Sequence, residues 1–152
     1  MNQIISIFIF IIFSTFGFSQ TENPNYDKKL ADSLGSDDYG MKSYILVILK
    51  TGTKQIDDKE IVNKIFRGHL DNISKLAEEG KLIVAGPLKK NEKKYRGIFI
   101  LNVKTIEEAQ ELIKTDPAIK EQLLDAELFE WYGAAALSEY LKVQSKIEKY
   151  KP

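Results

Sequence analysis

Apolar residues along this chain fall into two rhythms, runs of strand length and stripes of helical spacing, separated by polar breaks. Lys42 to Leu49, KSYILVIL, is a continuous β-branched apolar run stopped by Thr51-Gly52, which predicts a buried strand. In the following DDKEIVNKIFRGHLDNISKLAEEG, residues Ile61, Ile65, Ile73 and Leu76 recur at helical spacing. Asp57 or Asp58 supplies the N-cap of that helix and Gly80 its end. KLIVAGP reads as a short strand closed by Gly86-Pro87, and Lys89 to Lys94 as a polar loop. Tyr95 to Val103, YRGIFILNV, is a second long apolar strand. Thr105 caps IEEAQELIKTD, with Glu108 three residues on completing a capping box. Asp116-Pro117 opens another short helical turn, and Ala126 to Gly133, AELFEWYG, forms the last strand. The remainder reads as a C-terminal helix or tail.

The order β-α-β-β-α-β predicts a ferredoxin-like α+β domain with both helices on one face of an antiparallel sheet. It places the first and third strands in the middle, and these are the two longest apolar runs. Along the first strand Tyr44, Leu46 and Ile48 point one way while Ile45, Val47 and Leu49 point the other. On the third, Ile98 and Ile100 oppose Phe99 and Leu101. Helices cover one face only, and a wet second face should be polar. The expected cover is a second copy of the same sheet, giving a homodimer. The rival is a C-terminal helix folded back over the open face.

Before Met41 the chain changes character. Ile4 to Phe18 is almost wholly apolar, and its 15 residues fall short of a membrane-spanning helix. Gly17 and Ser19 stand at the spacing of a signal-peptide cleavage site, so residues 1–19 are expected to be a signal peptide and the protein exported, periplasmic or secreted. No membrane association is expected after cleavage. Residues 20–40 read as a flexible polar tether, 41–133 as the folded domain and 134–152 as a C-terminal helix or tail. The chain has no cysteine, which excludes disulfides and a lipidated N-terminal Cys. Lys plus Arg and Asp plus Glu number 22 each and are interspersed, so no nucleic-acid footprint is visible. One histidine and no thiol cannot build a usual metal cage, and no phosphate-cradling loop is present, so no metal or cofactor is expected.

That single histidine, His69, shares a helix side with Val62, Ile65, Phe66 and Ile73, so its ring points toward the sheet. Two readings follow: a neutral core histidine bonded to a backbone carbonyl, or a general acid/base in a pocket between helix and sheet. The blocks GHLDNISKLAEEGKLIVAGPL, YRGIFILNV and EEAQELIKTDPAIK, in that order and spacing over about Lys42 to Trp131, resemble the YCII-related family. The resemblance implies small dimeric α/β barrel proteins, a chemistry that includes chloride elimination from a chlorinated hydroquinone, and a histidine–aspartate pair proposed as a catalytic dyad. Its matching positions here are His69 and Asp116. Asp116 precedes Pro117, so N-capping is its structural role, and the two roles are compatible. Candidate substrate-binding residues are Tyr44, Phe66, Gly86 and Pro87, with Arg96, Phe99 and Trp131. The expected function is that of an exported, cofactor-independent lyase- or isomerase-type enzyme acting on a small aromatic or carbonyl-bearing molecule. The alternative is a non-catalytic dimeric module that binds a small molecule in the same cleft.

Overall fold

The computed structural model describes residues 23–149. The predicted signal peptide lies outside the described residues. In chain order the elements are α1 (Lys28–Leu34), β1 (Met41–Thr51), α2 (Lys59–Glu78), β2 (Leu82–Pro87), β3 (Tyr95–Leu101), α3 (Ile106–Ile113), α4 (Pro117–Lys120) and β4 (Leu124–Ala134), then a 3-10 turn (Ala135–Tyr140) and α5 (Leu141–Ile147). The strands form one antiparallel sheet ordered β2-β3-β1-β4, the ferredoxin-like arrangement with the two long apolar strands in its centre. Among the described residues no helix is long and apolar enough to cross a membrane.

The local signals act as their chemistry requires. Asp58, rather than Asp57, caps α2 by accepting from the N–H groups of Glu60 and Ile61, and Gly80 leaves the helix at a φ of 68°. Thr105 accepts from Glu108 N–H, while the Glu108 carboxylate reaches back to Lys104 N–H, one residue earlier than a strict capping box. The main core fills the space between helices and sheet: Ile45, Val47, Leu49, Phe99 and Leu101 from the central strands meet Leu76, Ala109, Ile113 and Ala118, with Ile65, Phe66 and Ile73 packed around them. Each such fully buried aliphatic side chain contributes about 1.5–3 kcal/mol. Ile61, in the first turn of α2, departs from the expected stripe and is 48% exposed.

The tether reading of residues 20–40 needs correcting over part of its length. Lys28–Leu34 is helical, with Asp27 capping its start and Gly35 in the left-handed conformation ending it. Asp37 then ties the segment to the sheet: its carboxylate accepts from the N–H groups of Tyr39 and Met41 and from the Tyr132 hydroxyl.

The second sheet face carries a smaller core. Tyr44, Ile83 and Ile100 are buried there, with Leu46, Val84 and Trp131 from the strands and Leu137 and Leu141 from the C-terminal segment packed against them. The fold-back rival is thus realised at one end of this face. At the other, Phe129 is 46% exposed and Leu46, Ile48 and Ile98 are only partly covered.

Candidate active site

The approach of α2 to α4 brings together two groups far apart in sequence. Gly68 lies mid-helix in α2, where glycine costs about 1 kcal/mol relative to alanine. A Cβ on it would stand 3.0 Å from Pro117 Cγ, so the glycine permits the close packing. The next residue, His69, then meets Asp116, whose Oδ2 lies 2.6 Å from His69 Nδ1. Asp116 is fully buried, the only buried charged side chain among the described residues. Its other oxygen, Oδ1, accepts from Ala118 N–H at 2.8 Å, which makes Asp116 the N-cap of α4. Capping and histidine contact therefore use different oxygens of one carboxylate. The core-histidine alternative, a ring bonded to a backbone carbonyl, is not what forms.

Two phenyl rings fix the imidazole from its sides. Phe99 lies nearly parallel to it, with centroids 6.0 Å apart and planes at 26°, and Phe66 stands edge-on at 6.0 Å and 84°. A carboxylate at Nδ1 holds the proton on that nitrogen and leaves the Nε2 lone pair available. Among the described residues Nε2 makes no hydrogen bond and no buried polar side-chain atom lacks a partner, so Nε2 is open to the cleft that His69 lines. The arrangement can take up a proton at Nε2 and stabilise the resulting imidazolium through Asp116.

The cleft has a volume of about 590 Å³, enough for a small molecule. Its helical wall is Phe66, His69, Leu70, Ile73 and Ala77 from α2, and its floor includes Leu49, Phe99, Ala85, Gly86, Pro87 and Arg96 from the strands. Phe66, Gly86, Pro87, Arg96 and Phe99 thus line the same cleft as His69. Tyr44 and Trp131 do not. Each points to the opposite sheet face, as partners in the β1–β4 register, and their rings pack together at 5.6 Å between centroids. The Tyr44 hydroxyl donates to the carbonyls of Ala134 and Ala135, and burial pushes its pKa up. These two aromatics belong to the second core, not to the cleft.

A third wall went unpredicted. Tyr140, Leu141, Gln144 and Glu148, from the 3-10 turn onward, also line the cleft. The segment is held by the Tyr140 hydroxyl, which donates to the carbonyl of Ile83 on the edge strand β2. Burial, and secondarily the Glu148 charge, raise the Tyr140 pKa. Nothing in the local sequence says which sheet edge a tail will wrap; only the apolar Leu137 and Leu141 hinted that it would pack at all.

The model of the YCII-related domain matches residues 43–132, more than half of the chain. Among solved structures, a chain of 5-chloro-2-hydroxyhydroquinone dehydrochlorinase from Burkholderia phenoliruptrix, in complex with 2,5-dihydroxybenzoquinone, is 18% identical, with a TM-score of 0.41 over 57% of this chain and 92% of that one. No curated protein matches the chain.

Proposed function

The chain belongs to the YCII-related family, and we propose that it is a cofactor-independent catalyst of lyase or isomerase type, in which His69 Nε2 moves a proton on a small aromatic or carbonyl-bearing molecule. The observation that carries this reading is the 2.6 Å contact between His69 Nδ1 and the buried Asp116 carboxylate, at the wall of an otherwise largely apolar cleft. A core histidine needs one satisfied nitrogen and no space beside the other. Here the second nitrogen faces a cavity. Positioned general bases of this kind contribute about 10²–10⁴-fold in rate. Asp116 acts through His69 as a positioning residue, and Phe99 and Phe66 offer ring faces and edges to a planar ligand.

The partly covered strip of Leu46, Ile48, Ile98 and Phe129 supports a second copy of the chain as partner. The apolar run Ile4 to Phe18 supports export. To test the catalytic reading, the chain beginning at Gln20 is screened by thermal shift against phenols and carbonyl compounds, and each stabilising compound is incubated in D₂O. Loss of carbon-bound proton signals in the presence of wild type, but not of His69→Gln, is the expected result. Compounds that bind with no exchange, or exchange that persists in His69→Gln, would leave only a non-catalytic binding module.

A further inference from the structure

The C-terminal segment lies beyond the residues the family model matches, yet it lines the cleft together with α2 and the strands. Its polar contribution is an i,i+4 pair in which Gln144 Nε2 donates to Glu148 Oε1 at 2.9 Å. One amide N–H is spent on the carboxylate, so the groups left for a ligand are mostly acceptors, the Gln144 side-chain oxygen and the second Glu148 oxygen, beside the remaining amide N–H. Tyr140 and Leu141 hold this pair in place, the first through the Ile83 carbonyl and the second through the core on the far sheet face. The basic side chains of the lining are His69 on the helix and Arg96 on the strands.

We propose that Gln144 and Glu148 are specificity-determining residues, which select ligands carrying a hydrogen-bond-donating or cationic group on an apolar, ring-sized body. The inference rests on the reading that the cleft takes a small molecule, and not on His69 acting as a base. An acceptor pair with a full negative charge favours an ammonium over a methyl and rejects a carboxylate, and a charge-assisted bond at a partly exposed site is worth about fivefold or more in affinity. Arg96 would produce the reverse preference if it dominated the cleft.

Titration calorimetry with three probes of one shape tests this: tyramine, 4-ethylphenol and 4-hydroxyphenylacetate. On the full-length chain, tyramine should bind at least about fivefold more tightly than 4-ethylphenol, with 4-hydroxyphenylacetate weakest. The tyramine advantage should fall to about twofold or less in Glu148→Gln, which keeps size and polarity while removing the charge. Gln144→Met, which cannot accept, should weaken the advantage in the same direction. Equal affinities, tightest binding of the carboxylate, no binding of any probe, or an advantage unchanged in Glu148→Gln would each overturn the assignment. The catalytic reading fails separately. Tyramine preference in a wild-type protein that shows no proton exchange sinks that reading alone, while His69-dependent exchange without the preference sinks this one alone.

Discussion

Removing the Asp116 carboxylate tests whether the pair at the cleft is as tightly engaged as its geometry implies. Asp116→Ala deletes two bonds at once. The α4 cap is worth about 1 kcal/mol, and a buried imidazole N–H left without its acceptor costs a further 1–3 kcal/mol or so. Together the two losses come to about 2–4 kcal/mol. For a domain of this size that corresponds to a melting point lower by about 10–20 °C. Asp116→Asn separates the two roles. Its oxygen can keep the Ala118 N–H bond, while its amide donates where the carboxylate accepted, so the imidazole must present Nδ1 as acceptor and carry its proton on Nε2. The stability loss should then be about 1–3 kcal/mol, and proton transfer should fall by about 10²–10⁴-fold because the open nitrogen carries the wrong proton. The chain has one histidine, so its imidazole ¹⁵N resonances report the tautomer without ambiguity. An Asp116→Asn protein whose ring keeps Nδ1–H, or an Asp116→Ala protein within about 1 kcal/mol of wild type, would refute the argument.

Gly68→Ala should improve helix propensity by about 1 kcal/mol but push against Pro117, leaving stability near wild type while shifting the His69 resonances and lowering activity. Unchanged resonances would mean that the glycine has no part in setting the contact. Leu76→Ala, in the centre of the main core, should cost about 2–5 kcal/mol in urea unfolding with the cleft chemistry otherwise intact. At high pH the tyrosines decide. Tyr44, Tyr132 and Tyr140 all have raised pKa values, from burial for the first and third and from the Asp37 bond for the second. Above the ordinary tyrosine value of about 10 the unfolded chain binds fewer protons than the folded one. Their contribution is therefore complete below that pH and is lost as pH rises through the higher folded values. Denaturation midpoints that stay level from pH 9 to 11 would contradict this.

The sheet was readable because its central strands are apolar on both faces, a pattern that few alternatives accommodate. α1 was not, although its capping signals Asp27 and Gly35 stood in the chain. A seven-residue helix that buries no side chain has no apolar stripe to detect. The His69–Asp116 contact was legible through the family resemblance and the Asp-Pro pair, whereas Gly68, which lets the two helices meet, looked like an ordinary helix-weakening residue. Trp131 and Tyr44 were assigned to the cleft on aromatic character alone, although strand alternation already set Tyr44 opposite Ile45, Val47 and Leu49. The third wall depended on a long-range choice, between packing on a sheet edge and staying in solvent, that no local pattern encodes.

The bond from Tyr140 to the Ile83 carbonyl also has a bearing on how this protein avoids association with itself. β2 is an edge strand whose sequence, LIVAGP, has no charge and whose only built-in breaker is the terminal Pro87. Exposed strands of that composition are templates for intermolecular pairing, and proteins commonly shield them with charge, bulges or a covering segment. Here the β2–β3 ladder is irregular between Leu82 and Val84, and the C-terminal segment occupies the Ile83 carbonyl of the strand through Tyr140. A chain cut after Ala134 would keep every strand and both helices of the α2–α4 contact, yet present a bare, adhesive edge. Its first symptom would be loss of soluble yield, on top of the missing third wall of the cleft.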